Sequence, residues 1–160
     1  MRGGPLPPAL LCAAIGLALG FTRWRIALVA ALAFVASAAV ASAVPVASSW
    51  DDLVFIGCWT SVAASAACVH LPSELGLLGA VLLALNGGAW AGLVAKAGGG
   101  SPNLLPALPL ILLCLPSRWL VTTRRGIAVK VAASWLIAIA GLEALVSLTP
   151  TPGYKPDHMD

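Results

Sequence analysis

Long apolar segments fill almost the whole chain, and they constrain its fold more than any other feature. Charged residues, prolines or glycines bound six of them, which cover Leu6–Phe21, Ile26–Val46, Leu53–Leu71, Leu75–Ala95, Leu104–Val121 and Ile127–Leu148. A helix needs about 20 mainly apolar residues to cross the roughly 30 Å of hydrocarbon in a bilayer. The sequence therefore predicts an all-α, polytopic bundle of about six transmembrane helices, which form a single domain over residues 1–148.

The composition excludes an ordinary soluble domain. Hydrophobic residues make up 60% of the chain and charged residues only 9%, whereas about 25% of the residues in a soluble domain are charged. The formal net charge of +3 does not indicate a nucleic-acid surface, because the basic residues lie mainly in the loops between apolar segments. We expect the lipid bilayer as partner and no nucleic acid.

The fifth segment, Leu104–Val121, departs from a regular span. Four prolines lie in it or just before it, at Pro102, Pro106, Pro109 and Pro116. Pro109 would kink a helix and free a carbonyl group, which a membrane tolerates only where protein or water satisfies it. Five spans plus a re-entrant or interfacial segment are therefore the alternative to six spans.

Arginines distinguish the two predicted sides of the membrane. The loops are short, so consecutive helices are predicted to be antiparallel neighbours, and successive loops alternate between sides. Two loops on the same side carry most of the arginines, namely Arg23, Arg25, Arg118, Arg124 and Arg125. Positive residues favour the cytoplasmic side, which places both termini in the periplasm. The abundance of alanine and glycine in the spans favours a bacterial inner membrane.

Small residues recur at a spacing of four within several spans. The clearest pairs are Gly16 with Gly20, Gly57 with Ser61, and Gly88 with Gly92. Such spacing lets helix backbones approach closely inside a membrane, where water does not drive association. We predict packing within the chain at these residues, with a homo-oligomer face as the alternative.

Few polar or ionisable side chains lie inside the spans, and these are the default functional candidates. They are Lys130, Glu143, His70 and Asn86. Lys130 and Glu143 each lie near one end of the sixth span, where a long side chain can reach the interface. Their separation is about 20 Å along one helix, so they cannot pair with each other.

Tryptophans are expected at two depths. Trp24, Trp50 and Trp119 lie at segment ends, where indole rings favour the membrane interface. Trp59, Trp90 and Trp135 lie deeper, so their N–H groups should find partners inside the bundle. Residues 149–160 form a proline-rich, polar tail that is predicted to be extended.

Residue types that carry chemistry are scattered along the chain. The four cysteines are isolated from one another, and His70 is the one histidine within a span, so neither zinc nor haem ligation is predicted. We therefore expect no catalytic, metal or cofactor site. A non-catalytic accessory subunit or scaffold, with another membrane protein or a second copy as partner, is the leading hypothesis.

Two other function classes stay open. A small transporter or channel would use Lys130, Glu143, Asn86 and the proline-broken fifth segment as its path. A membrane enzyme would need catalytic groups at one interface, such as Asp51 and Asp52. We interpret those two aspartates as a loop and helix start instead.

Overall fold

The computed structural model describes residues 6–72, 75–98 and 104–148, and every regular element in these ranges is helical. Six α-helices follow in the order α1 (Leu6–Leu19), α2 (Trp24–Ala43), α3 (Asp51–Cys68), α4 (Leu77–Ala97), α5 (Cys114–Thr122) and α6 (Gly126–Leu148). Short 3-10 helices at Ser48–Trp50 and Leu108–Leu113 precede α3 and α5. The predicted all-α fold is confirmed, while the predicted tail lies outside the described residues.

Proline and helix polarity set several helix ends. Val44 is extended, with φ −75° and ψ 128°, because the following proline disfavours helical backbone at the residue before it. The second helix consequently ends at Ala43 and does not reach Val46. The third helix begins at Asp51, since acidic residues in a first turn interact favourably with the helix dipole.

Helix α1 forms the centre of the bundle. It contacts α3, α4, α5, α6 and the Leu108–Leu113 helix. Leu11, Cys12, Ile15 and Leu19 are at most 1% exposed. A helix that is apolar on all faces is suited to such complete burial. Its 14 residues rise only about 21 Å, but a helix enclosed by protein need not match the thickness of the lipid.

Helix α2 packs along α4, and not along α1 or α3, which precede and follow it in the chain. The prediction that consecutive helices are neighbours is therefore wrong for α2, and it is also wrong for α4 and the fifth segment, which do not pack together. A short loop fixes where the next helix begins but leaves its direction open. Small residues facing each other on α2 and α4 allow a closer approach, and packing therefore selects this pair.

The fifth segment is not one kinked α-helix, as its prolines had suggested. Pro109 lies in the first turn of the 3-10 helix, and Pro116 lies in the first turn of α5. Proline is tolerated at such positions because the missing N–H group has no partner within the helix there. The segment lies against α1, so protein shields part of its backbone.

Three of the described helices are long and apolar enough to cross a membrane. They are α2, α4 and residues Gly126–Val146 of α6. Helix α1 and the stretch Leu108–Thr122 are shorter apolar helices. The structure therefore supports a helical bundle with at least this capacity for membrane insertion, by length and composition.

Candidate functional site

Glycines of α4 lie directly against the backbone of α2. A Cβ atom on Gly88 would overlap the carbonyl oxygen of Phe34, and one on Gly92 would overlap that of Ala38. The residue numbers of the contacting partners therefore increase together along the two helices, which shows that α2 and α4 run parallel. The two predicted packing residues form the closest part of this contact.

A second close contact joins α1 to the fifth segment. A Cβ atom on Gly16 would lie 2.9 Å from the carbonyl oxygen of Ile111, and one on Gly20 would overlap the hydroxyl of Ser117. That hydroxyl donates a hydrogen bond of 3.0 Å to the carbonyl of Leu17. The order of these contacts shows that the fifth segment runs parallel to α1.

A polar contact joins α3 to α4 near the middle of both helices. Asn86 Nδ2 donates a hydrogen bond of 2.7 Å to Ser61 Oγ, and Trp90 Nε1 donates one of 3.2 Å to Asn86 Oδ1. The ring of Trp90 fills the space above Gly57. The contacts run in opposite order along the two helices, so α3 and α4 are antiparallel. The Asn86 side chain is exposed on the outer surface.

The two ionisable side chains of α6 point away from the bundle. Helix α6 buries one stripe, which consists of Val129, Ala133, Leu136 and Ala140. Lys130 and Glu143 lie outside this stripe and are exposed. Neither side chain therefore lines the interior of the bundle.

His70 makes one side-chain contact that bridges α3 and α6. Its Nε2 atom lies 3.4 Å from the hydroxyl of Ser134, which also donates a hydrogen bond of 3.0 Å to the carbonyl of Lys130. The imidazole itself is exposed. Within the described ranges, no group of three His, Cys, Asp or Glu residues is arranged to hold a metal ion.

The predicted topology-determining arginines gather at one end of the bundle. Arg118 Nη1 donates a hydrogen bond of 2.6 Å to the carbonyl of Thr22, which joins the turn after α1 to helix α5. Because α5 runs parallel to α1, its C-terminal end faces the same way. Five residues therefore define an arginine-rich end of the bundle: Arg23, Arg25, Arg118, Arg124 and Arg125.

Two of the deeper tryptophans differ in how their N–H groups are satisfied. The Trp90 N–H group donates to Asn86 Oδ1, so it has a partner in the protein, but this hydrogen bond lies at the exposed surface and not inside the bundle. Trp59 is only 3% exposed, yet its Nε1 atom has no hydrogen-bond partner, and the same holds for the buried Ser65 hydroxyl. For the Trp59 indole, the expectation of a partner within the described bundle is therefore wrong.

The third of these tryptophans, Trp135, is 69% exposed, so the prediction of an internal partner fails for it as well. It follows Ser134, which contacts His70 just beyond the C-terminal end of α3. Helix α2 begins at the arginine-rich end, α4 runs parallel to it, and α3 runs antiparallel to α4, so α3 ends there.

Several residues that position this end were not predicted from the sequence. Ser117 donates a hydrogen bond to the Leu17 carbonyl, and the Thr22 carbonyl accepts one from Arg118. Farther from this end, the Ser37 hydroxyl on α2 donates a hydrogen bond of 2.7 Å to the Leu85 carbonyl on α4. Ser117 is the one of them that the local sequence could have indicated, because it is a polar residue beside Arg118 at the end of an apolar segment. Contacts between residues about 100 positions apart can be predicted only when the directions of their helices are known.

No protein-family model matches this chain, and neither a curated protein nor a solved structure is similar enough to it to suggest a relative. Its function must therefore be inferred from its own residues and their arrangement.

Proposed function

We propose that this protein is a non-catalytic accessory subunit or scaffold of a membrane assembly, which crosses a bacterial inner membrane six times. The observation that carries the proposal is the exposure of Lys130, Glu143 and Asn86 on the outer surface of the described bundle. Its interior consists mainly of small apolar side chains packed around α1. Such an interior favours a packing role over transport of an ion or proton.

Helix directions support six crossings. Parallel contact of α2 with α4, parallel contact of α1 with the fifth segment, and antiparallel contact of α3 with α4 are the relations expected when direction alternates along the chain. The rise from Leu77 to Lys96 is about 28 Å, close to the thickness of the hydrocarbon core. A cytoplasmic arginine-rich end, with both termini in the periplasm, follows from the preference of arginine for that side.

Reporter fusions to each terminus test this topology. Fusions active only in the periplasm should work at both ends, and fusions active only in the cytoplasm should fail at both. A cytoplasmic C-terminus combined with a periplasmic N-terminus would contradict six crossings and favour a re-entrant Leu104–Val121 segment.

The assembly role needs a separate test. The full chain, extracted in mild detergent at native abundance, should appear in native mass spectrometry with a stoichiometric membrane partner or as a defined homo-oligomer. Crosslinking in intact membranes provides a control against dissociation in detergent. A monomer in both measurements would contradict the subunit and scaffold hypothesis.

A further inference from the structure

The arginine-rich end brings together residues from two turns that are far apart in the sequence. The hydrogen bonds from Arg118 to the Thr22 carbonyl and from Ser117 to the Leu17 carbonyl, 2.6 Å and 3.0 Å long, hold the turns together. Arg23 and Arg25 follow Thr22 closely in the sequence, so they lie near α5, and Arg124 and Arg125 lie in the turn after α5.

Positive charge at this end is not balanced by acidic side chains in the described part of the chain. Arg23, Arg25, Arg124 and Arg125 are all exposed. The described acidic residues are Asp51, Asp52 and Glu143, which lie at the start of α3 and near the end of α6. Both of those positions face the opposite end of the bundle. The exposed guanidinium groups are therefore accessible to anionic partners from outside the described residues.

The backbone of the turn after α5 holds an arginine where glycine would be favoured. Arg124 has a φ of 59°, in the left-handed region. The Arg125 N–H group binds the Leu120 carbonyl at 2.8 Å, and the Arg124 N–H group binds that of Val121 at 3.2 Å. This is the Schellman pattern, in which glycine usually takes the left-handed position. An arginine in place of glycine at a strained backbone position indicates that its positive charge has a function.

Exposed indole rings lie beside the arginines. Trp24 is 46% exposed and Trp119 is 59% exposed, and both adjoin arginines in the sequence. Tryptophan favours the headgroup region of a bilayer. The rings therefore fix the depth at which the guanidinium groups lie, which is the depth of lipid phosphates.

We propose that the arginine-rich end binds the phosphate groups of anionic phospholipids, with a preference for headgroups that carry more than one negative charge. A guanidinium group forms paired hydrogen bonds with phosphate oxygens, which a lysine ammonium cannot reproduce. The inference rests on the membrane insertion proposed above. It does not depend on which side of the membrane the arginine-rich end occupies.

Lipid binding to the purified full chain tests the inference. Native mass spectrometry would compare cardiolipin, phosphatidylglycerol and phosphatidylcholine of equal chain length. We expect cardiolipin to bind most tightly and phosphatidylcholine least. Each basic residue near an anionic lipid surface contributes roughly fivefold to binding, so the R124Q/R125Q double variant should lose about thirtyfold in cardiolipin affinity. The matched control is K96Q, which removes a positive charge at the opposite end and should leave the affinity unchanged.

A further variant and a competition experiment distinguish lipid binding from general charge attraction and from binding of free phosphate. The R124K/R125K variant keeps the charge that directs topology, and should still bind cardiolipin less tightly than the natural chain. Inorganic phosphate should not displace cardiolipin at millimolar concentration; displacement would show a site for free phosphate and overturn the lipid proposal. Equal binding of all three lipids, or an unchanged affinity in R124Q/R125Q, would also overturn it. The reporter fusions test a separate point, because they measure topology in the membrane, whereas lipid binding in detergent does not depend on topology.

Discussion

At the scale of single residues, the missing side chains of Gly88 and Gly92 determine how closely α2 and α4 approach. We expect G88L and G92L each to lower the free energy of unfolding by about 1–3 kcal/mol or more, because overpacking forces neighbouring groups apart. Thermal unfolding in detergent would measure the loss. The matched control is G141L, since a Cβ at Gly141 meets no atom within 4 Å. Equal melting temperatures for all three variants would show that the α2 and α4 contact is not tight.

Arg124 gives a prediction of opposite sign. Left-handed backbone costs a residue with a side chain roughly 1–2 kcal/mol, and the extra freedom of glycine in the unfolded chain costs about 0.5–1 kcal/mol. R124G should therefore stabilise the fold by about 0.5–1 kcal/mol, which a rise in melting temperature would reveal. R124A keeps the strain and should bring no such gain. A stabilisation of the same size in R124A would show that removal of charge, and not relief of strain, is responsible.

At the scale of elements, α6 carries the two ionisable side chains that a transport path would need. Both are exposed, so E143Q and K130M should leave abundance and assembly nearly unchanged, because neither charge loses a buried partner. Size-exclusion chromatography and partner retention would measure this. In reconstituted liposomes we expect no current and no dissipation of a pH gradient. A robust flux that is lost in E143Q would replace the scaffold hypothesis with a transporter.

The elements also show what hydropathy can predict. Apolar segments gave five of the six α-helices to within a few residues, because each one must satisfy its own backbone. The spacing of Gly88 and Gly92 likewise indicated a close contact. Hydropathy carries no information on which helix is the neighbour, so the pairing of α2 with α4 was missed. The 3-10 geometry of Leu108–Leu113 was not predicted either, because hydropathy does not distinguish one type of helix from another.

For the candidate sites too, local sequence predicts the residue types but not the contacts between distant helices. Local sequence was sufficient to identify the arginines and the polar side chains within the spans. It could not show that Arg118 reaches the Thr22 carbonyl, or that Asn86 binds Ser61, because both bonds require helices from distant parts of the chain. Trp135 lies away from the ends of its segment, which predicts depth in the membrane but not which face of α6 carries the side chain, and that face is exposed.

At the scale of the whole molecule, burial is concentrated around α1. Ile15 is fully buried and contacts α4 at Gly87, while Leu32 on α2 is 70% exposed. We expect I15A to lower the free energy of unfolding by about 2–4 kcal/mol, because it leaves a cavity in a packed core. L32A, which removes a side chain that faces outward, should cost much less. Chemical unfolding in mixed micelles would measure both, and equal losses would contradict the central position of α1.

The enclosed position of α1 has a consequence for how the chain is made. The ribosome releases α1 before any of the helices that cover it, and the last of its neighbours, α6, begins only at Gly126. If the chain inserts as proposed, a helix of 14 residues would stay in the membrane without its final neighbours during synthesis, although it is short for the hydrocarbon core. Until then, insertion machinery or local thinning of the lipid would have to shelter it. Chains that stop before the fifth segment would leave α1 partly uncovered, which makes such fragments targets for membrane quality control.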